Sequence, residues 1–132
     1  MAALFPFAAT TEAITVRVAV TFQPESSQPA ASRWFWVYHI RIENHGDAPV
    51  QLRDRRWEIT DGNGAVHVVE GSGVVGEQPV IAPGASFDYV SGCPLNSPSG
   101  HMVGHFGMID DRGRRFTIAV PDFPLLGAAV SR

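Results

Sequence analysis

The chain of 132 residues contains no lysine, one cysteine and no long apolar run, and each absence removes a class of function. Without lysine there is no Walker-type phosphate loop, because that motif needs a lysine on the β- and γ-phosphates. All ten basic residues are arginines, and against 13 acidic residues they leave a net charge of −3. That balance argues against a general nucleic-acid surface, which works by neutralising many phosphates. Cys93, followed by Pro94, has no partner within the chain and no basic neighbour in sequence. It fits a reducing compartment and reads as a small buried apolar residue. The apolar stretches Met1–Ala9 and Phe123–Val130 fall far short of the about 18 to 20 residues needed to span a bilayer, and proline interrupts both. The first stretch also lacks the positive start of a secretion signal. The expectation is a cytoplasmic chain without membrane insertion.

What is present begins with a glycine pattern. Gly71-Ser72-Gly73-Val74-Val75-Gly76 matches G-x-G-x-x-G, which between a strand and a helix would cradle a pyrophosphate on helix N-terminal amides. Two downstream prolines exclude the helix: Pro79 and Pro83 each lack an amide and clash inside a helical turn begun at Gly76. The segment is therefore expected to join β-strands. As an anion site it would be a backbone nest alone, with Glu70 and Glu77 close by to repel the ligand. The competing reading is that Gly71, Gly73 and Gly76 permit positive φ or close backbone approach at a tight loop.

Around this loop the chain alternates with a period of two. Ile14, Val16, Val18, Val20 and Phe22 share one face of a strand, and Trp34, Trp36, Tyr38, Ile40 and Ile42 share one face of the next. Between Leu52 and Trp57 the apolar set changes parity, which predicts a bulge around Asp54-Arg55. Asp61-Gly62-Asn63-Gly64 is a hairpin signal leading into Val66–Glu70. Further extended segments are expected at Val80-Ile81, Phe87–Ser91, Met102–Ile109 and Arg115–Val120, with Gln23–Ser32 and Gly92–Gly100 as loops. No stretch carries a helical period beside a cap. Seven to eight short strands without crossover helices predict one all-β domain, an antiparallel β-sandwich of the immunoglobulin or fibronectin type III kind. Its span is expected to be 12–126, between an N-terminal arm (1–11) and a C-terminal tail (127–132).

Several separated stretches carry a family resemblance: WFWVYHIRIEN at 34–44, PVQLRDRRW at 49–57, GSGVVGEQPVIAPG at 71–84, YVSG at 89–92, GHMVGHFGMID at 100–110 and VPDFPL at 120–125. Together they resemble the bacterial ApaG family over about residues 12–126, and the resemblance implies a fibronectin type III-like sandwich. Arg56 and Phe22 depart from the aromatic or histidine, and the tyrosine, that relatives often have there. The functional implications are broad. Bacterial members are often encoded beside a diadenosine tetraphosphate hydrolase and an rRNA methyltransferase, and some are labelled cobalt or magnesium efflux proteins. Similar domains in eukaryotes are fused to F-box proteins and to a polymerase-interacting protein, which implies an interaction module.

The residues themselves mark no active site. His101 and His105 have the H-x-x-x-H spacing that binds zinc from a helix, but Gly100, Gly104 and Gly107 disfavour a helix. On a strand, residues four apart lie roughly 13 Å from one another, too far for one ion. No metal or cofactor is expected. A sandwich of this size has no path through a bilayer, so any link to cation efflux would be that of an accessory. Trp34, Phe35, Val74 and Val75 are the candidate interaction surface. The expected function is a non-enzymatic protein-interaction module with an unidentified protein partner and a possible homodimer through a sheet edge. The alternative is a weak phosphate or divalent-cation binder using the glycine loop.

Overall fold

Alternating apolar residues at 14–22 and 34–44 cannot bury their shared face alone, and the chain solves this by stacking two antiparallel sheets. The structure, a computed structural model, describes residues 5–127. It contains nine strands: β1 (Phe7–Thr11), β2 (Ile14–Phe22), β3 (Trp34–Asn44), β4 (Val50–Asp61), β5 (Val66–Ser72), β6 (Val80–Ile81), β7 (Ser86–Leu95), β8 (Ser99–Asp110) and β9 (Arg115–Leu126). One sheet has the order β1-β2-β3-β7; the other has β5-β4-β8-β9, with β6 continuing beside β4 next to β5. Among the described residues the only helical pieces are two short 3-10 turns, Pro24–Ser26 and Pro29–Ala31. This is the expected sandwich, with one or two strands more than the sequence suggested.

The additional strands have physical causes. Residues 7–11, placed by sequence within an arm, pair with β2 from Phe7 opposite Val18 to Thr11 opposite Ile14. Leu4 of that arm lies outside the described residues, as does 128–132 of the tail. β7 runs on through Pro94 to Leu95, where a loop was expected, and β9 continues past its expected end at Val120 through Pro121 and Pro124 to Leu126. Both are marginal strands of their sheets, so a missing proline N–H breaks no ladder on the outer side.

The core forms where the two inner faces meet. Val16, Val18, Trp36, Tyr38, Ile40 and Ile42 are buried against Leu52, Trp57, Phe106, Met108, Ile118 and Phe123. Trp57 is the hub, with the rings of Tyr38, Phe106 and Phe123 at 5.7, 6.2 and 6.1 Å. Its position depends on the parity change in β4. The register against β8 shifts between Leu52 and Asp54, so Arg53 is the extra residue. Leu52 faces inward before the bulge, and Arg55, Trp57 and Ile59 share the inward face after it.

The two long sides of the sandwich are closed differently. On the β1/β9 side the sheets are laced together: the Ala119 amide donates to Thr11 Oγ1 at 3.2 Å, and Arg114 pairs with Glu12 at 2.6 Å. At one end Trp36 Nε1 donates to the Leu126 carbonyl at 3.0 Å. On the opposite side the marginal strands β5 and β7 stand apart, and the inner face of β5 carries only His67, Val69 and Gly71. Small and polar residues cannot fill the gap, so the sandwich gapes there.

Candidate binding cleft between the two sheets

The gap is a cleft of about 500 Å³. Its floor is apolar, with Tyr38, Trp57, Ile59, Leu95 and Met102; its walls are β5 with the glycine loop on one side and β7 on the other. That volume lies within the range of small-molecule sites, which combine an apolar lining with a few placed polar groups. Here the polar groups are Arg55, Tyr89, Ser91, His67 and Asn96.

Arg55 occupies an inward position because of the Arg53 bulge. Its side chain crosses to the partner strand and lies over Gly71, where an added Cβ would sit 3.0 Å from Nη1. Nη1 donates to the carbonyls of Ser72 and Gly73 at 3.2 and 2.9 Å. No carboxylate pairs with this guanidinium among the described residues, unlike Arg56 on the outer face, which bonds Glu70 at 2.6 Å and Glu58 at 3.2 Å. His67 reaches Asp61 at 3.4 Å. Asp61 is held below the ordinary carboxyl range: burial opposes ionisation, but the amides of Asn63 and Ala65 donate to it and outweigh burial.

Tyr89 is 7% exposed, and its hydroxyl is buried without a hydrogen-bond partner. Such a group costs about 1–3 kcal/mol if nothing satisfies it. Burial raises its pKa and that of Tyr38, only partly offset at Tyr38 by the neighbouring Ser91 hydroxyl, so both phenols are neutral O–H groups near neutrality. The positive charge of Arg55 opposes the rise in both. Burial also pushes the Cys93 thiol up to about 11. The thiol is thus protonated, consistent with its reading as a small buried residue.

The glycine segment forms one wall of this cleft and launches no helix. Val74 and Glu77 exchange backbone hydrogen bonds at 2.8 and 2.9 Å, and the two residues between them, Val75 and Gly76, have φ of 43° and 81°. Positive φ at both central positions is the signature of a type I′ hairpin turn. Gly73 also sits at positive φ, and a Cβ there would lie 2.3 Å from the Glu77 carbonyl oxygen. Its amide donates to Arg53 O at 2.8 Å, so Gly73, Val74 and Glu77 all spend their donors inside the protein. Glycine at 71, 73 and 76 thus serves Arg55 packing and the turn.

The other singled-out residues are divided. Val74 is buried and Val75 exposed at the cleft wall, whereas Trp34 and Phe35 are half-buried and border a second hollow. Pro94, Leu95 and Asn96 are the wall common to both hollows. Phe35 packs over Gly92, where no Cβ would fit. His101 and His105 lie on the exposed face of β8, and among the described residues no three His, Cys, Asp or Glu side chains gather as a metal site. Sequence reading passed over Arg55, Tyr89, Ser91 and Tyr38 as a group. Two signals pointed to them: an arginine in step with Trp57 and Ile59 after the parity change, and the inner face of β7, which reads Phe-Tyr-Ser-Cys-Leu at alternate positions from 87.

Comparison with known proteins agrees with the geometry. The family model described as the ApaG domain matches residues 24–110. A protein ApaG from Rhodospirillum centenum is 50% identical over 116 residues, covering 85% of this chain and 89% of the relative; one from Caulobacter vibrioides is 50% identical over 119, covering 90% and 85%. The crystal structure of a putative ApaA protein from Bordetella pertussis, 41% identical, superposes with a TM-score of 0.85 over 87% of this chain and 94% of that one. A protein from Archaeoglobus fulgidus, at 9% identity and a TM-score of 0.54 over 83% and 94%, shares the fold alone. With the β-sandwich, the glycine hairpin and these matches in agreement, the chain belongs to the ApaG domain family.

Proposed function

We propose that this ApaG domain is a non-enzymatic protein-interaction module that receives a partner strand along the outer margin of β5. The observation that carries the reading is the composition of that margin. β5 is terminal in its sheet and carries Val66 and Val68 at 57 and 50% exposure on its outer face, beside Val75 and Val80 at 54 and 66%. A terminal strand presents unpaired main-chain groups, and β-augmentation adds a partner strand there, with exposed apolar side chains as secondary anchors. Of the four marginal strands, β7 and β9 carry prolines and β1 is laced to β9, whereas β5 has neither protection. A second copy of the chain is one such partner, giving a homodimer with β5 against β5.

The strand plan, β1-β2-β3-β7 facing β5-β4-β8-β9 with β6 beside β4, supports a fibronectin type III-like classification once the short strands β1 and β6 are set aside. The lone buried cysteine supports a reducing, cytoplasmic setting. No helix among the described residues is long and apolar enough to cross a membrane. Protonated phenols and thiol in the cleft support binding over catalysis, since they offer donors and no activated nucleophile.

The test selects extended peptides from a displayed library and follows the amides of the labelled chain on titration. Binding should perturb the β5 amides and disappear in Val68→Glu. Sedimentation across concentration reads self-association by the same margin. Peptides that shift other strands only, with a strictly monomeric chain, would remove the reading.

A further inference from the structure

The cleft holds an unpaired cation and an unpaired buried hydroxyl above an apolar floor, and one ligand chemistry answers all three. We infer that it is a small-molecule site for an apolar monocarboxylate, an aromatic acid in particular, with the carboxylate held between Arg55 and Tyr89 and the ring seated toward Trp57, Ile59 and Met102.

Charge supports this choice. Arg55 spends Nη1 on two carbonyls, while Nε and Nη2 have no protein acceptor among the described residues. The lining carries Arg55 and His67 and no acidic side chain. An ionised carboxylate takes two or more donors, and charge-assisted bonds to a guanidinium are about twice as strong as neutral ones. Tyr89 supplies an O–H that the protein leaves unsatisfied and fully covered in the ligand-free chain, so a carboxylate seated on Arg55 meets it once the side chains covering it give way. A native fold seldom retains such a group without a use.

Shape supports the apolar body. Trp57 and Tyr38 meet edge to face at 5.7 Å and line the bottom of the gap, and Ile59, Leu95 and Met102 complete an apolar seat. A volume of about 500 Å³ takes a ligand of one or two rings. This site differs from strand addition at β5: the two share Val75 and the β5 wall, but the cleft holds its ligand by side chains of the inner faces, whereas strand addition uses main chain at the outer margin.

The experiment titrates the labelled full chain with indole-3-propionate and with its neutral amide, read by amide shifts and calorimetry. The acid should give saturable shifts at Tyr38, Arg55, Val75, Tyr89 and Ser91, and the amide should bind about tenfold more weakly or worse, as expected when a charge-assisted bond is lost. Arg55→Gln should weaken the acid by about tenfold and leave the amide unchanged. Because Arg55 also braces the loop, Tyr89→Phe is the second arm. It removes the unpaired hydroxyl, so the ligand-free variant should melt no lower than the parent while binding the acid several-fold more weakly. Equal binding of acid and amide, no cleft shifts at millimolar acid, or undiminished acid binding by Tyr89→Phe would each overturn the inference.

Discussion

Val75 holds a β-branched side chain at a φ of 43°, in a region where valine is a genuine outlier. Left-handed backbone costs a non-glycine residue about 1–2 kcal/mol. The side chain repays part of this by lining the cleft, but it is 54% exposed, so its burial contributes about 1 kcal/mol of the 1.5–3 available to a fully buried valine. Val75→Asn converts the turn to Asn-Gly, the preferred pair for a type I′ hairpin. It removes most of the strain and adds turn preference while losing the partial burial. The expected net is a gain of about 1 kcal/mol, or roughly 3–5 °C in Tm for a domain of this size. Urea unfolding followed by tryptophan fluorescence measures it, with the slope unchanged because the same surface is exposed on unfolding. Val75→Ala gives up the packing yet keeps a Cβ at positive φ, so it should be less stable than Val75→Asn. A Val75→Asn variant less stable than the parent, at the same slope, would show that the turn does not hold the strained geometry described.

The remaining predictions concern the loop, the core and the titrating groups. Gly73→Ala places a Cβ 2.3 Å from the Glu77 carbonyl oxygen at positive φ, and should cost about 2–3 kcal/mol in the same unfolding assay. Asn44 is 1% exposed; its amide donates to the carbonyls of Ala48 and Ile81 at 2.9 and 3.0 Å and accepts from the Gly46 amide, so Asn44→Ala should cost about 2–4 kcal/mol. Glu43, bonded by Arg17 first and by His45 and Arg41, has its carboxyl lowered from 4.5 to about 2. A lowered carboxyl stabilises above its unfolded pKa, so this contribution is complete above about 4.5 and fades as pH falls toward 2. The depression corresponds to roughly 3 kcal/mol at most, reduced by solvent screening on the outer face to about 1–2, and Glu43→Gln should flatten the acid limb of a stability–pH curve by that amount. Cys93, with its thiol near 11, should react with iodoacetamide at pH 8 more than a hundredfold slower in the native chain than in the denatured one, read by mass spectrometry.

What the sequence made legible was whatever period two and turn chemistry dictate locally. β2, β3 and the Asp61–Gly64 hairpin could be placed because alternation and Asn-Gly-type signals act over a few residues. The Arg53 bulge was visible as a change of parity, and the glycine segment as a joint between strands because Pro79 and Pro83 excluded a helix. β1 was not visible: Phe-Ala-Ala-Thr-Thr is a weak strand former that depends on a ready-made β2 edge. The extensions of β7 and β9 were hidden by prolines, which are disfavoured only where a neighbouring strand needs their N–H. The cleft was least legible of all. Arg55, Tyr89 and Ser91 are brought together by how two sheets diverge, a property of tertiary packing that no local spacing encodes.

The prolines in β7 and β9 and the lacing of β1 to β9 give the molecule a limited valency. A sheet with adhesive rims on both flanks can recruit neighbour after neighbour and grow into a fibre, whereas a body with one receptive rim saturates after a single encounter. Under the proposed strand addition, Val66 and Val68 on β5 would stay sticky without endangering solubility, since an association through that single rim would end growth.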